Sequence, residues 1–191
     1  MTTSIMNSIC TRLALGLAVI VSTIIGQPAL AQSKSAWTTV GSAGIVNEGH
    51  FDLVDLSGGG LAQFQAGAPA DTSALIRYNV TATAGLFGAL GTPIRMNVRF
   101  MDNNGNGNVI VRLKEYNFVA GLPATTIIEF NSNEQASSAS LQNGHKMAPC
   151  GFAFDFANKA YYLEVELIRI AASSNPKLAV VQLTTMPGSC V

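Results

Sequence analysis

Asp102, Asn104 and Asn106 stand at alternate positions and Gly107 follows them, the order that opens a loop whose side-chain oxygens wrap a calcium ion. Such loops close on a carboxylate at the twelfth position, and here that position is Leu113. One carboxylate and several amides make a poor cage for a hard dication. The segment is therefore read first as a turn and only second as a calcium site. No Gly-x-Ser-x-Gly elbow, His-Glu-x-x-His pair or Gly-rich phosphate loop occurs, so no cofactor or other metal is expected.

A second constellation is cationic. Arg77, Arg95, Arg99, Arg112 and Lys114 all fall on the polar side of alternating segments, as an anion-binding face requires. Glu164 and Glu166 occupy the polar side of another segment and offer cross-strand partners, so mutual pairing is the first reading. Arg77 and Arg112 remain candidates for binding an acidic glycan or a partner protein. Glu164 and Glu166, at about 6.5 to 7 Å along a strand, are also the best pair for glycoside hydrolysis, with Asp52, Asp55, Glu129 and Asp155 in reserve. A small secreted hydrolase is thus the alternative to a non-catalytic role. His50, followed by Asp52 and Asp55, reads as a turn residue before it reads as a base. Among the aromatics Trp37, Tyr116, Tyr161 and Tyr162, core or edge packing comes first, with Trp37 and Tyr162 as candidate sugar platforms.

The chain begins with a segment that has its own chemistry. Arg12, an apolar run from Leu13 to Ile25, and Ala29-Leu30-Ala31 before Gln32 form a secretory signal in the expected order. The run is too short and interrupted for a membrane span, and Gln32 leaves no cysteine at the cut to carry a lipid. Residues 1–31 are read as a signal peptide and residues 32–191 as a single domain, secreted or periplasmic in a bacterium. Removal of Arg12 leaves ten Lys and Arg against eleven Asp and Glu, a balance that excludes general affinity for nucleic acid. Cys150 and Cys190 are the thiols that remain, and an even count in an exported protein favours a disulfide between them.

The elements that must position these groups are strands. Ile76, Tyr78, Val80 and Ala82 alternate with Arg77, Asn79, Thr81 and Thr83; Ile94, Met96, Val98 and Phe100 alternate with Arg95, Asn97 and Arg99. Val109, Val111 and Leu113 alternate with polar residues, as do Tyr161, Leu163, Val165 and Leu167. Shorter candidates are 43–46, 51–56, 61–65, 125–131, 151–156 and 178–185, giving nine or ten strands in all. No segment after residue 31 holds apolar residues at helical spacing for three turns, although 69–73 and 132–139 suit a short helical turn. The Asn- and Gly-rich segment 102–108 predicts a hairpin pairing 94–101 with 109–117. Segment 132–149 reads as the longest polar loop.

One apolar and one polar face per strand calls for two antiparallel sheets packed face to face, a jelly-roll-like β-sandwich, with a closed barrel as runner-up. Ile76–Val80, Val98–Phe100 with Asp102-Asn103, Val109–Lys114, Cys150-Gly151-Phe152 with Phe154-Asp155-Phe156, and Tyr161–Arg169 resemble a group of uncharacterised exported bacterial proteins. That resemblance spans most of residues 37–183 and implies a shared β-domain, with no activity, substrate or site residue attached. The expectation is a secreted non-catalytic binding or structural module, contacting a glycan or a surface protein. Intact-mass analysis and non-reducing peptide mapping of exported protein should find an N-terminus at Gln32 and a Cys150–Cys190 linkage. A retained Met1 or two free thiols would refute these two expectations respectively.

Overall fold

Period-two alternation acts through burial: when one side chain of each pair is apolar, a strand can hide that row and hydrate the other. The computed structural model describes residues 36–56, 58–82, 92–102 and 106–186. Among them lie eleven strands: β1 (Ala36–Val40), β2 (Ile45–Val46), β3 (Val54–Asp55), β4 (Ala62–Phe64), β5 (Thr72–Val80), β6 (Ile94–Met101), β7 (Gly107–Asn117), β8 (Thr125–Asn131), β9 (Gln142–Met147), β10 (Lys159–Arg169) and β11 (Lys177–Thr185). They form two antiparallel sheets. A six-stranded sheet runs β3-β4-β11-β6-β9 with β1 also on β11, and a five-stranded sheet runs β2-β5-β10-β7-β8. The protein is an all-β sandwich.

Between the sheets lies the core. Ile76, Tyr78 and Val80 of β5, Val111 and Leu113 of β7, and Leu163, Val165 and Leu167 of β10 face Met96, Val98 and Phe100 of β6 and Val181 and Leu183 of β11. On β11 the alternation slips, because both Leu178 and Val181 are buried, and a bulge between Leu178 and Val180 absorbs the extra residue. Among the described residues no helix is long and apolar enough to cross a membrane.

The predicted hairpin between 94–101 and 109–117 does not form. β6 pairs with β11 and β9, whereas β7 pairs with β10 and β8 in the other sheet. The connection therefore joins one sheet to the other. At its near end the buried Asp102 carboxylate accepts hydrogen bonds from Ser138 N (2.9 Å) and Gln142 Nε2 (3.3 Å). At its far end the Asn106 carbonyl accepts from Ile170 N (2.8 Å) and Ser174 Oγ (2.6 Å). An Asn- and Gly-rich composition suits either connection, and the local turn chemistry does not encode which sheet receives the next strand.

Other expectations shift more modestly. Segment 151–156 is a turn and extended coil, with Gly151 at φ 81° after Cys150, and its Phe152, Phe154 and Phe156 close around Tyr161. Ala82 is exposed beyond the end of β5. Residues 48–53 form a 3-10 turn ahead of β3, and 132–134 form another, inside the segment expected to turn. Strand β9 emerges from the supposed polar loop.

Two tyrosines tie irregular segments to the sheets. The Tyr78 hydroxyl donates to the Gly41 carbonyl at 2.6 Å and holds the 3-10 turn of Gly41–Ala43 against β5. A Cβ at Gly41 would overlap the Leu178 carbonyl, so this approach requires glycine. Tyr161 donates to Glu115 Oε2 (3.2 Å) and accepts from Asp155 N (3.0 Å). Burial drives the Tyr78 hydroxyl far above the ordinary tyrosine value and pushes Tyr161 up to about 12. Because these values exceed the unfolded one of about 10, the stability they confer is complete below that pH and declines as pH rises through it. Denaturant unfolding followed above about pH 10 should show that decline, with a shallower slope for Tyr161→Phe; equal slopes would contradict the burial argument.

Candidate functional site

The outer face of the six-stranded sheet carries a ladder of neutral polar groups. Thr38 of β1 lies opposite Gln182 of β11, Gln182 opposite Asn97 of β6, and Asn97 opposite His145 of β9. Gln182 Nε2 donates to Thr38 Oγ1 at 3.2 Å, and Asn97 Nδ2 donates to Thr184 Oγ1 at 3.3 Å and towards Gln182 Oε1 at 3.5 Å. The rungs on either side bring Arg95 opposite Thr184 and Met147, and Arg99 opposite Val180 and Asn143. A groove of about 420 Å³ runs over this array, lined by Arg95, Asn97, Arg99, Asn143, His145 and Gln182 with the backbone around them. No carboxylate lines it, and its one ring is the His145 imidazole.

Strand β9 completes the groove because of one absent side chain. Its only buried residue is Gly144, between the exposed Asn143 and His145. A Cβ there would overlap the Phe130 ring, which stacks edge-on against Phe100 with centroids 5.1 Å apart. The Phe130 ring thus occupies the volume that a side chain at 144 would take. Sequence alternation could not reveal β9, since its one buried position is a glycine and its one large apolar residue, Met147, is exposed. Lys146 on this edge strand pairs with Glu134 at 3.0 Å, a charge of the kind that discourages edge-to-edge association.

The outer face of the five-stranded sheet has the opposite character. Ile45, Arg77, Glu164, Arg112 and Glu129 lie on one rung across β2, β5, β10, β7 and β8, with charges alternating in sign. Arg112 Nε donates to Glu129 at 2.7 Å and Nη1 to Glu166 at 3.0 Å; Lys114 Nζ reaches Glu164 at 2.9 Å, and Arg77 approaches it at 3.7 Å. Desolvation lowers the Arg112 pKa, but the bonds to Glu129 and Glu166 outweigh it and hold the guanidinium above its ordinary value. Glu164, 8% exposed, is roofed by its cations.

The cationic row read from sequence therefore divides between two faces. Arg77, Arg112 and Lys114 are neutralised on one sheet. Arg95 and Arg99, on the other, have no ion pair or side-chain hydrogen bond among the described residues, and the Arg95 Nε is buried without a partner. Glu164 and Glu166, the carboxylates proposed for hydrolysis, belong to the neutralised network.

The remaining candidates take structural places. Trp37 is buried in the core at 9% exposure and Tyr161 at 3%, so neither offers a platform. Tyr162 is half-buried beside Lys114 on the five-stranded sheet, away from the groove. His50 Nδ1 accepts from Leu75 N at 3.0 Å, pinning its 3-10 turn to β5. The Asp102 carboxylate is occupied by protein donors, Asn106 contributes its carbonyl to the end of the connection, and Asn104 lies outside the described residues. No group of three or more His, Cys, Asp or Glu among the described residues is placed to hold a metal. Cys150 is exposed in its turn, and Cys190 lies outside the described residues.

No family model and no curated protein matches the chain. Several solved structures are similar in fold. The C-terminal CBM6 of the laminarinase LamC from Zobellia galactanivorans has a TM-score of 0.46 and 11% identity, over 78% of this chain and 99% of that one. The CBM36-1 domain of a multidomain xylanase from the hindgut metagenome of Trinervitermes trinervoides has a TM-score of 0.43 and 14% identity, over 82% of this chain and 100% of that one. A family two carbohydrate esterase from Cellvibrio japonicus has a TM-score of 0.39 and 16% identity; the match covers 83% of this chain but only 37% of the esterase. At these scores none of them assigns a family or a ligand to this chain.

The packing at Gly144 yields a direct test. Gly144→Val should force β9 away from Phe130 and cost about 1 to 3 kcal/mol in denaturant unfolding, as overpacked positions do. A stability equal to that of the unaltered chain would mean that the glycine is not what seats β9.

Proposed function

We propose that the domain is a non-catalytic binding module that takes a glycan in the groove over β11, β6 and β9, working outside the cytoplasm once residues 1–31 are removed. The observation that carries this is the Thr38–Gln182–Asn97–His145 rung, flanked by Asn143 and the two arginines. Sugar hydroxyls both donate and accept. Side-chain amides do the same from one planar group, so a row of them matches a row of hydroxyls. A groove without a carboxylate lacks the pair of acids that glycoside hydrolysis uses, which favours binding over turnover.

With no Trp, Tyr or Phe ring to stack on, a neutral sugar would be held chiefly by hydrogen bonds, each worth about 0.5 to 1.5 kcal/mol net. Affinity electrophoresis of the exported protein against soluble polysaccharides should retard it in at least one gel. The double variant Asn97→Ala with Gln182→Ala should weaken that retardation by about tenfold, two such bonds being removed. Unretarded migration in every polysaccharide would end the proposal.

A further inference from the structure

We propose that the glycan is an acidic polymer whose carboxylate or sulfate groups sit on Arg95 and Arg99, an inference that rests on the glycan-binding reading above. Three observations converge on it. The first is a contrast within one molecule. On the five-stranded sheet Arg77, Arg112 and Lys114 each face a carboxylate, whereas the groove holds Arg95, Arg99 and His145 with no acid among its lining residues. The domain has the means to neutralise its cations and leaves these two without a counter-charge.

The second observation is the state of Arg95. Its Nε is buried and unpartnered, so part of a permanently charged group has lost water and gained no protein acceptor. A guanidinium binds carboxylate and sulfate oxygens through a planar fork, and such charge-assisted bonds are about twice as strong as neutral ones. In a groove lined by no Trp, Tyr or Phe, this is the largest source of affinity that the residues present can supply.

Spacing is the third. Arg95, Asn97 and Arg99 alternate along β6, so the two arginine Cα atoms are about 13 Å apart at roughly 3.3 Å per residue. They flank the amide rung on either side and meet different cross-strand neighbours. That arrangement suits anionic groups recurring along a chain whose neutral hydroxyls meet Asn97 and Gln182 between them. A mature charge near zero means that attraction arises at this face and not from the protein as a polycation.

Calorimetric titration of the full exported protein against alginate, polygalacturonate and dextran sulfate, with laminarin and dextran as neutral probes, tests the inference. At least one acidic polymer should bind about tenfold or more tightly than either neutral one, more weakly at high salt, and more tightly than free galacturonate or inorganic sulfate. Comparison of the uronates with dextran sulfate separates the two anion chemistries. Arg95→Gln and Arg99→Gln should each remove most of that preference, while Arg77→Gln on the opposite face should retain it. Arg95→Gln should melt no lower than the unaltered protein, because no internal bond of the Arg95 side chain is lost. Equal affinity for acidic and neutral polymers, or an equal loss with Arg77→Gln, would overturn the acidic assignment and leave glycan binding intact. Absence of binding to all five polymers would overturn both.

Discussion

Phe130 reaches from the five-stranded sheet across the core, lies edge-on against Phe100 and covers the bare backbone at Gly144. Everything on the groove side follows from that contact. It fixes how closely β9 approaches the core, and β9 in turn carries Asn143 and His145 to the level of Asn97 and Arg99 on β6. Close-packed interiors transmit displacement instead of absorbing it, so the far sheet sets the shape of the near one. A polar edge strand with one inward glycine has little apolar area of its own to bury. Its place comes from neighbours that are already fixed.

Two outer faces of one sandwich have solved the problem of polar rows differently. On the five-stranded sheet, acids and bases alternate across strands, and each cation finds a carboxylate within 4 Å. The more exposed of these pairs, such as Arg112 with Glu129, contribute about 0 to 1 kcal/mol each. Their effect is to cancel the field of that face. On the six-stranded sheet the central row is neutral and hydrogen-bonded laterally, while the charges at its flanks are of one sign. The asymmetry is larger than the near-zero net charge suggests.

Four long strands were legible because their inward rows are continuous: Ile76 to Val80, Ile94 to Phe100, Val109 to Leu113 and Tyr161 to Leu167 all lie buried where alternation put them. What alternation could not carry was partnership. Arg95 and Arg112 have the same local signature, a cation on the polar side of a strand, and they part company only because β6 and β7 join different sheets. The Asn-Gly segment between those strands has the composition of a hairpin, while its described ends are held by distant donors, Ser138 N and Gln142 at Asp102 and Ile170 N at Asn106. Phe152, Phe154 and Phe156 alternate like a strand yet, beyond the turn at Gly151, converge as a cluster on Tyr161. The groove was hidden for a related reason: β9 has no apolar row to read, and Gln182 gains its meaning only from Thr38, more than a hundred residues earlier in the chain.

The lateral bonds of the amide ladder also have an entropic consequence. A free glutamine or asparagine on a sheet surface samples several rotamers, and arresting it on a ligand costs about 0.5 to 1.5 kcal/mol. Gln182 and Asn97 are already tethered to Thr38 and Thr184, so much of that ordering is completed when the protein folds. Arg99, an exposed side chain at one end of the row, has no such tether among the described residues. The centre of this face is thus ordered by the protein's own bonds, and its margin is not.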